Sequence, residues 1–233
     1  MILLSSILKL LYNIMLLVPE NLILMIEPVK IENILKKIKF HPEIVLIASS
    51  TGGPRALEAI IPKLKKNFPA PILIVQHITS YFIDSLAARL NRISQNNVKV
   101  AQNDESITAG TIYLAPGGFH MRLDVGNKIY LDDSPAVNGV RPAADVLFES
   151  VAQSFSGQNV LTVILSGMGS DGKNGLAELK NKKDCFCLVQ SENTCIVYGM
   201  PGAAVENGYA DMILDLNKIS CEIESFNYTT TES

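Results

Sequence analysis

From His41 onward, short runs rich in Ile, Val and Leu alternate with longer stretches whose apolar residues recur at helical spacing. This alternation constrains the fold more than any other feature, because strands that are apolar on both faces need helices on both sides of a parallel sheet. EIVLIAS (Glu43 to Ser49) reads as a buried strand, followed by a Gly-Gly-Pro turn and a predicted amphipathic helix from Pro54 to Asn67. PILIVQH is a second strand, SYFIDSLAARLNRIS a second helix, and VKVAQ and GTIYLAPGG two further strands. HMRLDVGNKIYLDD differs in kind. Its two alternating runs flank Gly126-Asn127, which predicts an antiparallel hairpin. RPAADVLFESVAQSF returns to helical spacing, LTVILSG is a continuous apolar strand, GLAELKNKK a helix and CFCLVQ a last strand. The expected class is α/β, a doubly wound and mostly parallel sheet with a small antiparallel hairpin.

Domain organisation depends on where that pattern begins and stops. Residues 1–40 read as an N-terminal extension or linker, 41–219 as one large α/β domain, and 220–233, ending in SFNYTTTES, as a flexible polar tail. The first eighteen residues are strongly apolar but are interrupted by Lys9 and Asn13. They lack a basic start and a small-residue cleavage site, which argues against a signal peptide or a membrane span. Initiation at Met25 would remove the segment altogether.

The charge balance, 20 basic against 23 acidic residues with no long basic run, gives nucleic-acid binding no electrostatic support. Cys185, Cys187, Cys195 and Cys221 crowd into the last quarter of the chain without a C-x-x-C pair. They read as reduced thiols of a cytoplasmic protein rather than as a disulfide framework or a zinc site.

Three reactive side chains each come directly after a predicted strand or close it: Ser50 after EIVLIAS, His77 at the end of PILIVQH, and Asp171 beyond LTVILSG. In open parallel sheets the carboxyl ends of the strands carry the ligand site, so the three share one edge and a Ser-His-Asp constellation is geometrically available. A serine hydroxyl is a weak nucleophile until imidazole takes its proton, and a carboxylate holds the imidazole and stabilises its charged form. Thr51-Gly52-Gly53 then opens a helix whose N–H groups would face a developing oxyanion, with the glycines allowing close approach. Two plainer readings compete. Ser50 or Thr51 could simply cap the helix, and His77 could be a hydrogen-bonded structural residue. His41, before the first strand, is read as a surface residue, while His120 in PGGFH is a candidate for a supporting contact.

Gly167-Met168-Gly169-Ser170-Asp171-Gly172 matches G-x-G-x-x-G literally, with Glu192 at about the dinucleotide spacing of 20 residues. Against that reading, Asp171 would place a carboxylate in a loop meant to cradle a pyrophosphate, and Ser50 and His77 would have no task. The α/β-hydrolase pattern fails as well, since Ser50 lacks a surrounding G-x-S-x-G and the chain order is Ser, His, Asp.

Taken together, IASSTGGP, IVQHIT with FIDSLAARLN, GTIYLAPGGFHM, VNGVRPAADVLFESVA, LSGMGSDGKNGL and VQSENTCIVYGMPGAA resemble the CheB-type protein-glutamate methylesterases of bacterial chemotaxis, in the family's order from about Ile44 to Ala204. The resemblance implies Ser50 as nucleophile, His77 as general base and then acid, and Asp171 as the residue orienting His77. It also implies Thr51 and the Met168 N–H at the oxyanion site. The implied reaction is hydrolysis of glutamyl methyl esters on chemoreceptor signalling helices, with glutamine deamidation as a related activity and no metal or cofactor. A catalytically silent domain that binds a signalling partner is the alternative. The family's phosphorylatable receiver domain has no counterpart in the residues before the first strand, so either constitutive activity or control by a separate receiver or signalling protein is expected, in a protein acting as a monomer. Ala48 and Ser49 stand where Gly-Ala is more usual; a slightly tighter turn is expected there, without loss of activity.

Overall fold

In the computed structural model, residues 40–226 are described. Contacts within the chain divide it into Met1–Phe40 and His41–Ser233, and the second unit holds all the elements named below. The expected N-terminal extension, apart from its last residue, the Met25 start and the end of the tail lie outside the described residues.

The strands are β1 (Ile44–Ser49), β2 (Ile72–Gln76), β3 (Asn97–Val100), β4 (Thr111–Leu114), β5 (His120–Asp124), β6 (Lys128–Asp132), β7 (Asn159–Ile164), β8 (Asp184–Gln190) and β9 (Met212–Leu214). The helices are α1 (Gly53–Ile60), α2 (Ser80–Ile93), α3 (Ala144–Ser154), α4 (Lys173–Lys182), α5 (Gly199–Glu206) and α6 (Leu216–Ser225). Seven strands form one parallel sheet in the order β3-β4-β2-β1-β7-β8-β9. The chain leaves β1 toward β2 on one side and later returns to β7 on the other, so the winding reverses at β1. The strands flanking that reversal are β2, β1 and β7, the same three that the sequence associates with His77, Ser50 and Asp171.

Burial follows the pleat. On one face Ile44, Leu46 and Ala48 of β1 join Leu147 and Phe148 of α3 and Leu176 of α4 in a single apolar cluster. Val45, Ile47 and Ser49 alternate to the opposite face. Helices α1 and α2 lay down matching stripes at i, i+3, i+4 and i+7, namely Gly53, Ala56, Leu57 and Ile60 in α1 and Ile83, Leu86, Ala87 and Leu90 in α2. The hairpin is present, with Gly126 and Asn127 both at positive φ, but β5 and β6 form a separate two-stranded sheet, with β5 packed against α3 and β6 bridged to Ser106, instead of extending the main sheet.

The structure corrects two expectations. The first helix stops at Ile60 and tightens into a 3-10 turn over Ile61–Lys63, short of Asn67. Pro62 explains this, because it lacks an N–H and its ring crowds the carbonyl four residues back. The segment from 220 is not a frayed tail up to residue 225, since α6 runs through it and buries Ile219, Ser220, Ile223 and Glu224. Glu224 accepts the Lys65 N–H at 2.8 Å, and the Phe226 ring packs edge-on against Phe186 at 5.1 Å. The polar residues of α6 hid an apolar stripe at helical spacing. Among the described residues, no helix is long and apolar enough to cross a membrane.

Ile223 is fully buried. Ile223→Ala should therefore cost about 2–5 kcal/mol of unfolding free energy in urea titration. A change below about 0.5 kcal/mol would mean that α6 contributes nothing to the core.

Candidate active site

The pairing of Ser49 with Gln76 in the β1–β2 register sets the next residues, Ser50 and His77, side by side at about the 4.8 Å spacing of neighbouring strands. The His77 N–H donates to Ser49 O at 3.0 Å, and the Ser50 N–H donates to Ser166 O at 3.0 Å just beyond β7. From the loop beyond β7, Asp171 reaches the imidazole. His77 Nε2 lies 2.8 Å from Asp171 Oδ2, with the side chains 10% and 3% exposed. That leaves Nδ1 as the other ring nitrogen, the reverse of the common arrangement in which Nδ1 faces the carboxylate.

Asp171 is the most heavily bonded group in the site. Besides His77, its Oδ2 accepts the Ala144 N–H at 2.6 Å, while Oδ1 accepts the Asp145 N–H at 3.2 Å and Asn138 Nδ2 at 2.9 Å. Burial pushes this carboxyl upward, but the bonds from His77, Ala144 and Asn138 outweigh it and hold the group below its ordinary value. Ala144 and Asp145 are the first residues of α3, so the orphan N–H groups of a helix start face the carboxylate, where its dipole favours negative charge.

Asn138 also donates to Asp145 Oδ2 at 2.8 Å, and Asp145 Oδ1 accepts the Gly175 N–H at 2.8 Å, tying α3 to α4. His120, fully buried, makes the supporting contact expected of it one step away. Its Nδ1 accepts the Ala143 N–H at 3.2 Å just before α3, and its Nε2 donates to Pro135 O at 3.1 Å. Asn138 carried no sequence signal of its own beyond the Asn-Gly turn, since its partners are 33 and 7 residues away. His41 is exposed.

The N-cap of α1 is Gly52, at φ 87°, with no side-chain cap, so neither Ser50 nor Thr51 spends its hydroxyl on the helix. Among the described residues the Ser50 hydroxyl and the N–H groups of Thr51 and Met168 take no hydrogen bond. Gly167 brings the Met168 loop against the serine. A Cβ there would stand 2.9 Å from Ser50 Cβ and 2.3 Å from Met200 Sδ.

Gly52 and Gly53 are required by the packing of the protein itself. A Cβ on Gly52 would meet Ser166 Oγ at 2.8 Å, and one on Gly53 would meet Gln76 Oε1 at 1.9 Å. The Gly53 N–H is already donated to Ser50 O at 2.8 Å. Protein atoms stand where a side chain at either position would go. Ala48 and Ser49 likewise belong to the buried end of β1 and not to the turn, so nothing is tightened. The G-x-G-x-x-G segment is the loop that carries Asp171, and its carboxylate is committed to His77 and α3.

A cleft of about 270 Å³ opens beside His77, between Thr79, Gly118 and Arg141. A second of about 520 Å³ lies beyond Gly52, along Arg55, Ser166, Gln190 and Ile196. The thiols stay apart from this chemistry. None of the four is in a disulfide, and burial raises Cys187 to about 12 and Cys195 to about 11.

The lowered Asp171 value has a definite sign. Its contribution to stability is full above the unfolded carboxyl value of about 3.9 and drains as pH falls through the lower folded value. In urea titrations repeated from neutral to acid pH, wild type should lose stability relative to Asp171→Asn below about pH 4. Parallel curves would remove the linkage.

Most of the described chain is similar to known proteins. Residues 45–223 match the family model described as CheB methylesterase. A protein-glutamate methylesterase/protein-glutamine glutaminase of Thermotoga maritima is 44% identical over 180 residues, covering 76% of this chain and 52% of that protein. Proteins of the same name from Archaeoglobus fulgidus and Halalkalibacterium halodurans are 45% identical over 185 residues and 42% over 199, covering 78% and 84% of this chain and 52% and 57% of theirs. The chain thus spans about half the length of the curated relatives it matches. The crystal structure of the Thermotoga maritima CheB methylesterase catalytic domain superposes with a TM-score of 0.74 at 43% identity, covering 78% of this chain and 98% of that one. With the family model running from the first strand into the last helix, the chain belongs to the CheB methylesterase family.

Proposed function

We propose that this chain is a protein-glutamate methylesterase, hydrolysing glutamyl methyl esters on chemoreceptor signalling helices and deamidating glutamines at such sites. The observation that carries the reading is the His77–Asp171 pair, 2.8 Å apart, beside an uncommitted serine just past the end of the neighbouring strand. Ser50 Oγ attacks the ester carbonyl carbon while His77 Nδ1 takes its proton, and Asp171 stabilises the imidazolium. The carbonyl oxygen becomes an oxyanion, for which the N–H groups of Thr51 and Met168 are the candidate donors. Collapse breaks the bond to the methoxy group, His77 returns the proton, and methanol leaves an acyl-Ser50 ester. Water, deprotonated by His77, then attacks that ester and releases the glutamate carboxylate and free Ser50. A glutamine follows the same path with ammonia as the leaving molecule. No cofactor is needed at any step.

The substrate is a side chain on a helix, and the edge around Ser50 suits a protein partner. Tyr81, Phe82, Phe119, Met168 and Ile196 are exposed there, each on a loop or at a helix start beyond the carboxyl end of a strand. All three members of the constellation come from one chain, which supports action as a monomer, and four cysteines outside any disulfide agree with the cytoplasm.

The test is methanol release from a radiomethylated receptor signalling domain. Wild type should turn over, while Ser50→Ala and His77→Ala should each lose about 10⁴-fold or more in kcat, because nucleophile and base act as a unit. Ester hydrolysis by Ser50→Ala near the wild-type rate would overturn the assignment.

A further inference from the structure

Gln76 ends the apolar strand β2 and is 1% exposed, yet the chemistry just described gives it no part. Its carboxamide is fully engaged. Oε1 accepts from Ser49 Oγ at 2.8 Å, while Nε2 donates to Ser50 O at 3.0 Å and to His77 O at 3.1 Å. One amide group therefore holds the main-chain carbonyls of both the proposed nucleophile and its base, at the point where the β1–β2 ladder ends. The Ser49 hydroxyl sets which way the amide faces. Turned over, Oε1 would confront two carbonyl oxygens and both would lose the amide donor, leaving Ser50 O with the Gly53 N–H alone. The space for the group exists only because residue 53 is glycine, whose missing Cβ would stand 1.9 Å from Gln76 Oε1.

We propose that Gln76, oriented by Ser49, is a positioning residue that fixes the separation of Ser50 and His77 and so the approach of the serine hydroxyl to the imidazole. The proposal rests on the reading of Ser50 and His77 as nucleophile and base. Misplacing two reacting groups by a fraction of an ångström lowers the rate of the step they perform while leaving substrate binding intact.

The experiment compares wild type, Gln76→Glu and Ser49→Ala by two readouts: kcat and KM for methanol release from the radiomethylated receptor domain, and the rate of Ser50 labelling by a fluorophosphonate. Gln76→Glu, nearly isosteric but without the two-donor amide, should lower kcat and the labelling rate together by about 10- to 100-fold with KM within about twofold. Ser49→Ala keeps both donors and loses only their orientation, so its kcat and labelling rate should fall by between about 2- and 10-fold. Thermal unfolding followed by circular dichroism verifies that each variant is folded, and if Gln76→Glu is not, Ser49→Ala decides alone. Wild-type rates in a folded Gln76→Glu or, failing that, in Ser49→Ala would overturn the proposal. A loss expressed in KM alone would do the same. Labelling of wild type at Ser50 without methanol release would mean that the substrate reading fails, and the labelling rates of the variants would still decide the role of Gln76. A wild type that neither labels nor releases methanol would overturn both.

Discussion

A buried carboxylate is costly to keep charged, and much of the architecture around Asp171 serves that end. Asp171 is 4% exposed and would neutralise in an apolar setting, yet three donors besides His77 converge on it. Two of those donors are the first N–H groups of α3, so the helix has to start at that spot and point that way. The hairpin helps to hold it there. His120 of β5 binds the residue before the helix, and the Leu123 N–H of β5 donates to Ser150 Oγ of α3 at 2.9 Å. This gives the separate two-stranded sheet a role, as a brace for the helix that holds the carboxylate that orients the imidazole.

The parallel sheet supplies the rest through register. Because β2, β1 and β7 are neighbours at the point where the winding reverses, residues that come after them in sequence emerge together at one edge. Ser49 and Gln76, 27 residues apart, and His77 and Asp171, 94 apart, then meet within hydrogen-bonding range, without any loop having to fold back over the sheet. Such a site is built on rigid elements, and the glycines at 52, 53 and 167 let those elements close up on one another.

Much of this was legible beforehand. Period and run length marked the strands, and position at strand ends singled out Ser50, His77 and Asp171 from among many serines and aspartates. Gly126-Asn127 announced the hairpin. The misses have physical causes. Pro62 ended α1 early, a local effect that the helical spacing of apolar residues concealed. In α6, a stripe carried by Ile219 and Ile223 was outweighed by its polar neighbours. The packing against Gly52 and Gly53 was hidden because a sequence records a missing side chain but not what fills the gap.

What the sequence by itself determined is the alternation of elements, the shared edge and the three side chains on it, since each depends on local periodicity and on the direction of a parallel strand. Tertiary structure alone decided that Nε2 of His77 faces Asp171, that α3 and Asn138 hold the carboxylate, that His120 fixes the start of α3, and that Gln76 joins the two strand ends. Those facts are hydrogen bonds between residues far apart along the chain. A donor shows in a sequence only as a polar residue, whereas its partner is chosen by which backbone atoms the finished packing leaves within about 3 Å.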